Sequence, residues 1–187
     1  MSKLSILIPT MEKRKHKLDE LFNILLPQCE QYDVKVLTDL DPNLTIGAKR
    51  NNLVHRCKTQ YAVFIDDDDM VSANYIELIM KGINADYDVI GINGVMTWNG
   101  NSHGTYHHSL SYEWSESGTI PNMRYERSPN HWNPMRTKYF KKFPFPSLSW
   151  AEDIQQSQAM AQAGLWKDKK EYTVEQPIHW YKYVSKK

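Results

Sequence analysis

Residues 61–70, YAVFIDDDDM, set the tightest limit on what this chain can fold into. The run from Tyr61 through Ile65 has the length and the β-branched and aromatic content of a buried strand, and it stops at four consecutive carboxylates, Asp66, Asp67, Asp68 and Asp69. Adjacent carboxylates repel one another, and the run contains no base to offset them. Two explanations fit: a solvated acidic turn that ends the strand, or a hard divalent cation held among the oxygens.

The segments around this strand extend its pattern. Residues 4–8, LSILI, read as a buried strand closed by Pro9, which cannot donate to a central ladder. A basic segment, residues 13–17, leads into an amphipathic helix with Leu18, Leu21, Phe22 and Leu25 on one face, expected to close at Pro27. Residues 34–38, VKVLT, form a second strand ended by the Asp39-Leu-Asp-Pro42 turn, and Thr45 is placed to cap a helix reaching Arg56. After the aspartates, Ser72 is placed to cap a helix in which Tyr75, Ile76, Ile79, Met80 and Ile83 share a face.

Three strand-helix alternations predict an α/β fold, a mostly parallel sheet flanked by helices. Ligands of such sheets bind where the carboxyl ends of the strands open. That rule brings Pro9, Thr10, Asp39 and the aspartates at 66–69 to one crevice, within reach of Arg14, Lys49 and Arg50. Carboxylates facing bases suit a metal bound to a diphosphate, although each base taken singly is also explained as an exposed charge.

Composition removes other classes. At 187 residues the chain is expected to be a single domain. Its net charge of +1 gives no global field for nucleic acid or an anionic membrane. Cys29 and Cys57 are too few for a disulfide framework and read as packed thiols. The apolar run near the N-terminus is too short for a signal peptide, and no stretch approaches the roughly 20 apolar residues of a membrane span, so a soluble, cytoplasmic protein is expected.

Four motifs in order, residues 5–10 (SILIPT), 47–51 (GAKRN), 64–69 (FIDDDD) and 150–153 (WAED), resemble the motif set of nucleotide-sugar glycosyltransferases with the GT-A fold, family 2 type. The resemblance runs from residue 4 to about 165 and implies a Rossmann-like sheet with a nucleotide-sugar half over 1–95 and an acceptor and catalytic half over 96–187. It implies a nucleoside-diphosphate sugar donor, a UDP-sugar favoured, with Mn2+ or Mg2+. By the same resemblance Asp66 and Asp68 form the DxD pair, with Asp68 the direct metal ligand, while the run also permits Asp67 with Asp69. Thr10 and Asp39 match positions that contact the donor base, and Arg50 a basic residue near the nucleotide, joined at the donor by Pro9, Arg14, Lys49 and Asp67. Asp39-Leu-Asp-Pro-Asn43 departs from the usual acidic Gly-Ser turn, which leaves the base identity open.

Glu152 and Asp153 open a segment with helical spacing that ends at Gly164, where acids in the first turn also suit the helix dipole. The resemblance makes Asp153 the base that accepts the acceptor proton in one inverting displacement, with Glu152 orienting the sugar or the helix terminus. His179 matches, by position after that helix, a histidine that completes the metal site; His131 competes for the role, and His103, His107 and His108 read as loop residues. Residues 98–130 align with nothing in the family and read as a flap or short antiparallel excursion carrying acceptor information. Trp150, and less so Trp132 and Trp114, are candidates to stack on a sugar; the basic residues 182–187 read as a frayed end. The acceptor stays open among a saccharide, a lipid-linked glycan, a protein and a modified nucleic-acid base.

Two other classes compete. A nucleotidyltransferase of similar fold normally opens with a glycine-rich phosphate loop after the first strand, and residues 9–14, PTMEKR, contain no glycine. A non-catalytic calcium-binding domain finds Glu77 at the twelfth loop position counted from Asp66, but Met70 and Val71 replace the oxygen ligand and glycine such a loop needs.

Overall fold

The computed structural model describes residues 2–113 and 124–184. In chain order these hold strands β1 (Leu4–Pro9), β2 (Lys35–Asp39), β3 (Tyr61–Phe64), β4 (Met70–Val71), β5 (Val89–Trp98), β6 (Asn101–His108), β7 (Arg124–Arg127), β8 (Met135–Arg136) and β9 (Glu171–Tyr183). The helices are α1 (Lys15–Gln31), α2 (Ile46–Arg56), α3 (Tyr75–Asn84), α4 (Thr137–Lys142) and α5 (Glu152–Gln162). One mixed sheet runs β2-β1-β3-β8-β5-β6-β7, with β9 beside β5 and β4 beside β9. The expected parallel half is present as β2-β1-β3, and β3 continues through antiparallel β8.

Alternation along the central strands builds the core on both faces. Leu4, Ile6 and Ile8 of β1, with Tyr61, Val63 and Ile65, pack with Leu18, Leu21 and Leu25 of α1 and with Ile76, Ile79 and Ile83 of α3. The intervening Leu7, Ala62 and Phe64 pack on the other face with Leu53 of α2, Phe140 of α4 and Met160 of α5. Both faces are dry, so the register is fixed: a one-residue slip would exchange the two sets.

Several local expectations are corrected. Pro27 does not close α1, which runs on to Gln31. Pro27 and Asn23, whose carbonyl its ring deprives of a donor, are both exposed, while burial of Gln28 and Cys29 holds the last turn. Ser72 does not cap α3; its carbonyl accepts from the Gln28 amide, and the Gln28 side-chain oxygen takes the Ile76 N–H at 3.0 Å. A neighbouring helix thus does the capping. Thr45 behaves as expected, its hydroxyl accepting from the Ala48 N–H at 3.2 Å. His103, His107 and His108 sit on β6, not in a loop, because Asn99 (φ 50°) and Gly100 (φ 83°) make a tight turn that pairs β5 with β6. Tyr183 continues β9 opposite Trp98 rather than fraying. Trp114 and residues 185–187 lie outside the described residues.

Candidate active site

The carboxyl end of β1, the acidic tip after β3 and the start of α5 open onto one crevice of about 770 Å³. Pro9, Arg14, Arg50 and Asp66, Asp67 and Asp68 line it together with Trp150, Glu152 and Asp153. Tyr125, Trp132 and Tyr181 line the side formed by the β5–β7 region and β9.

The neutralising charge that residues 61–70 lack arrives from elsewhere in the chain. Arg50 on α2 is 3% exposed; its Nη2 donates to Asp66 Oδ1 at 2.8 Å and its Nε to Glu152 Oε1 at 3.1 Å. Its guanidinium lies over the Phe64 and Phe145 rings. Burial works against both ions, yet Arg50 and His131 hold the Asp66 carboxyl well below the usual range, and Asp66, Glu152 and Asp153 keep Arg50 charged. Asp67 accepts from the Thr10 hydroxyl at 2.6 Å and pairs with Arg14 at 2.8 Å. Burial nevertheless pushes it up to about 6, with Asp68 and Asp66 adding repulsion against the relief from Thr10 and Arg14. Asp68 pairs with Arg14 and, at 3.4 Å, with Lys17, both through Oδ2. Asp69 turns away: it meets His179 Nε2 at 3.4 Å and the Lys182 N–H at 3.2 Å, and burial raises its pKa.

The remaining sequence candidates divide between crevice and support. Lys49 is buried, and its ammonium donates to the Thr10 carbonyl at 2.6 Å. Thr10 and Asp39 are buried behind Pro9, with the Thr10 N–H bonded to the Asp39 carbonyl. His179 joins Asp69 to the Tyr106 hydroxyl in a buried chain and is not part of the crevice wall. Glu152, 4% exposed, faces Arg50 and anchors the α5 terminus, whereas Asp153 is a third exposed. Trp150 is 83% exposed at the crevice mouth, on a segment where Ala151 takes a left-handed φ of 60°. Trp132 is half-buried, its ring stacked on His108. Lys17 and Tyr181 were not singled out from the sequence; Lys17 belonged to a basic segment whose reach to Asp68 depends on the fold, and burial beside Asp69, Asp66 and Asp68 drives the Tyr181 phenol to about 12.

Among the described residues no three His, Cys, Asp or Glu side chains gather as a complete metal cage. The donor set fits a different arrangement. Mg2+ and similar ions are commonly held by one or two carboxylates plus substrate phosphates, and Asp66 and Asp68 line the crevice with one oxygen each not engaged by Arg or Lys.

A mixed α/β sheet whose parallel strand ends carry carboxylates and bases opposite an acidic helix start defines the GT-A class. The chain belongs to glycosyl transferase family 2, whose model matches residues 15–148. Among solved structures it is similar to S. aureus TarS 1–349 in complex with UDP, at 19% identity and a TM-score of 0.65, covering 97% of this chain and 60% of that one. It is also similar to TarS 1–349 in complex with UDP-GlcNAc, at 15% identity and a TM-score of 0.62, covering 99% and 60%. The chain therefore spans about three-fifths of the length of these structures. No curated protein matches it in sequence.

Proposed function

We propose that this chain transfers a sugar, hexosyl or pentosyl, from a nucleoside-diphosphate sugar to an acceptor hydroxyl. The observation that carries the reading is the shared crevice: the acidic tip after β3 and Asp153 line one cavity. Its volume falls within the range of small-molecule sites. A UDP-sugar is favoured as donor because TarS 1–349, of similar fold, has been solved with UDP and with UDP-GlcNAc.

In this reading Asp68, with Asp66, would hold a divalent cation together with the donor diphosphate. Such an ion, Mn2+ or Mg2+, supplies Lewis-acid stabilisation of charge on the departing diphosphate. The chain supplies the rest. Arg14 and Lys17, now on Asp68, are placed to meet phosphate oxygens. Pro9 bounds the nucleotide end, backed by the buried Thr10 and Asp39, with Lys49 fixing the Thr10 carbonyl. Asp153, a third exposed at the first turn of α5, takes the acceptor proton as that oxygen bonds to the anomeric carbon, and the sugar–phosphate bond breaks to release the nucleoside diphosphate with inversion. Glu152 holds the helix start through Arg50. The aromatic wall with Trp132, and Trp150 at the mouth, provides apolar surface for the acceptor. The acceptor class stays among a saccharide, a lipid-linked glycan, a protein and a modified base. Two buried free thiols suit a reducing, cytoplasmic setting, and among the described residues no helix is long and apolar enough to cross a membrane.

The test is a panel of nucleotide sugars incubated with Mn2+ or Mg2+, with and without chelator, scoring release of free nucleoside diphosphate. One donor should be consumed, and chelation should stop it. A chain that binds and hydrolyses no donor would end the proposal.

A further inference from the structure

His131 has no part in the scheme above, yet it lies between two of its acids, Asp66 and Asp153. Its side chain is 1% exposed and neither ring nitrogen has a hydrogen-bond partner. The backbone fixes its place, since the His131 carbonyl accepts from the Phe64 N–H at 3.0 Å, and its ring packs against Phe64 and Trp132. The two nitrogens point to different acids: Nδ1 is 3.7 Å from Asp153 Oδ2 and Nε2 is 3.8 Å from Asp66 Oδ2.

We propose that His131 is a positioning residue, a buried strut whose Nδ1 side aims the Asp153 carboxylate from a place beside Asp66. Buried polar groups are normally satisfied, so a bare Nδ1 facing the Asp153 carboxylate marks a contact that closes rather than one left open. The separations are close to an ångström longer than a hydrogen bond, and apo sites commonly tighten to that extent when substrate arrives. Asp66 is already held by Arg50 through Oδ1, so the carboxylate beside the ring is itself fixed in place. Fixing the base this way matters because small misplacements in an active site cost large factors in rate. The arrangement runs beside the first: Arg50 joins Asp66 to Glu152, while His131 stands between Asp66 and Asp153. Sequence spacing offers no sign of it, since residues 66, 131 and 153 meet only through the sheet.

This inference rests on the transferase reading, and the experiment separates the two. Long-range 1H–15N spectra of the chain read the ring directly, without turnover: Asp153→Asn should shift the His131 Nδ1 resonance, and unmoved ring resonances in that variant would overturn the strut whether or not the chain transfers sugar. The kinetic arm uses three substitutions. His131→Phe keeps a flat ring of similar width and should lower kcat about 10-fold or more while donor KM stays within about threefold. His131→Asn places an amide near the Nδ1 position and should recover most of that loss, whereas His131→Gln, with its amide near Nε2, should not. A loss confined to donor KM, or equal rescue by Asn and Gln, would refute the positioning role. A chain with a shifted Nδ1 signal that consumes no donor would instead refute the proposed reaction.

Discussion

Arg50→Met offers the sharpest test of how this site is held together. The guanidinium is 3% exposed and spans two acids, Asp66 at 2.8 Å and Glu152 at 3.1 Å. Methionine fills much of the stem's volume against Phe64 and Phe145, so packing changes little and the loss is electrostatic. Removing one partner of a buried pair costs roughly 3–5 kcal/mol because the other is left as an uncompensated charge. Glu152, 4% exposed, should bear that cost in full, whereas Asp66, with a quarter of its side chain exposed, recovers part of its hydration. At about 2–4 °C per kcal/mol for a domain of this size, the melting temperature should fall by roughly 6–20 °C. The double variant Arg50→Met/Glu152→Gln should regain at least half of the drop, since it removes the stranded charge.

The pH dependence follows from Asp66. Its folded pKa is depressed, so the stability it contributes is present above the ordinary carboxylate value near 4 and is lost as pH falls through the folded value. The gap between wild type and Arg50→Met should therefore be widest at neutral pH and narrow in acid. Calorimetric melts between pH 3 and 8 measure both effects. A drop under about 2 °C, or a double variant no more stable than the single, would refute the reasoning.

Other outcomes follow from the same geometry. Asp67, with a folded pKa near 6, is most favourable to folding below about pH 4, and its contribution declines as pH rises to about 6 and is flat above; Asp67→Asn should flatten that decline, a difference on the order of 3 kcal/mol at most, and parallel stability curves would contradict it. A Cβ on Gly47 would meet the Pro146 carbonyl oxygen at 1.8 Å, and the Gly47 N–H holds the Leu148 carbonyl, so Gly47→Ala should displace the segment leading to Asp153; a cost of roughly 1–3 kcal/mol is expected, with transfer rate falling more than donor affinity. Asp153→Asn should abolish transfer with donor binding intact, while Asp68→Ala should weaken metal-dependent donor binding; calorimetric titration with the donor separates them, and an active Asp153→Asn would remove the base assignment.

Much of this was legible in local spacing. The strand ending at four aspartates, the Thr45 cap and the glycine stop of α5 at Gly164, whose φ is 63°, each follow from residues within a few positions of one another. The order of the four motifs pointed to the family to which the chain belongs. What local reading missed depended on distant partners. Gln28 caps a helix 48 residues away, and β6 holds three histidines because a two-residue turn folds it onto β5.

Taken alone, the order of residues determined which elements form, which faces are apolar, and that carboxylates would crowd the end of β3. Repulsion among neighbours and the periods of strand and helix are short-range, so they can be read from the chain directly. Tertiary structure decided how that charge is shared: Arg14, Lys17 and Arg50 come to the aspartates from the approach to α1, from α1 and from α2, Asp69 is withdrawn to His179, and His131 falls between Asp66 and Asp153. Those pairings cross 16 to 110 residues of sequence and depend on burial, which strengthens each ion pair and exists only once the sheet has closed.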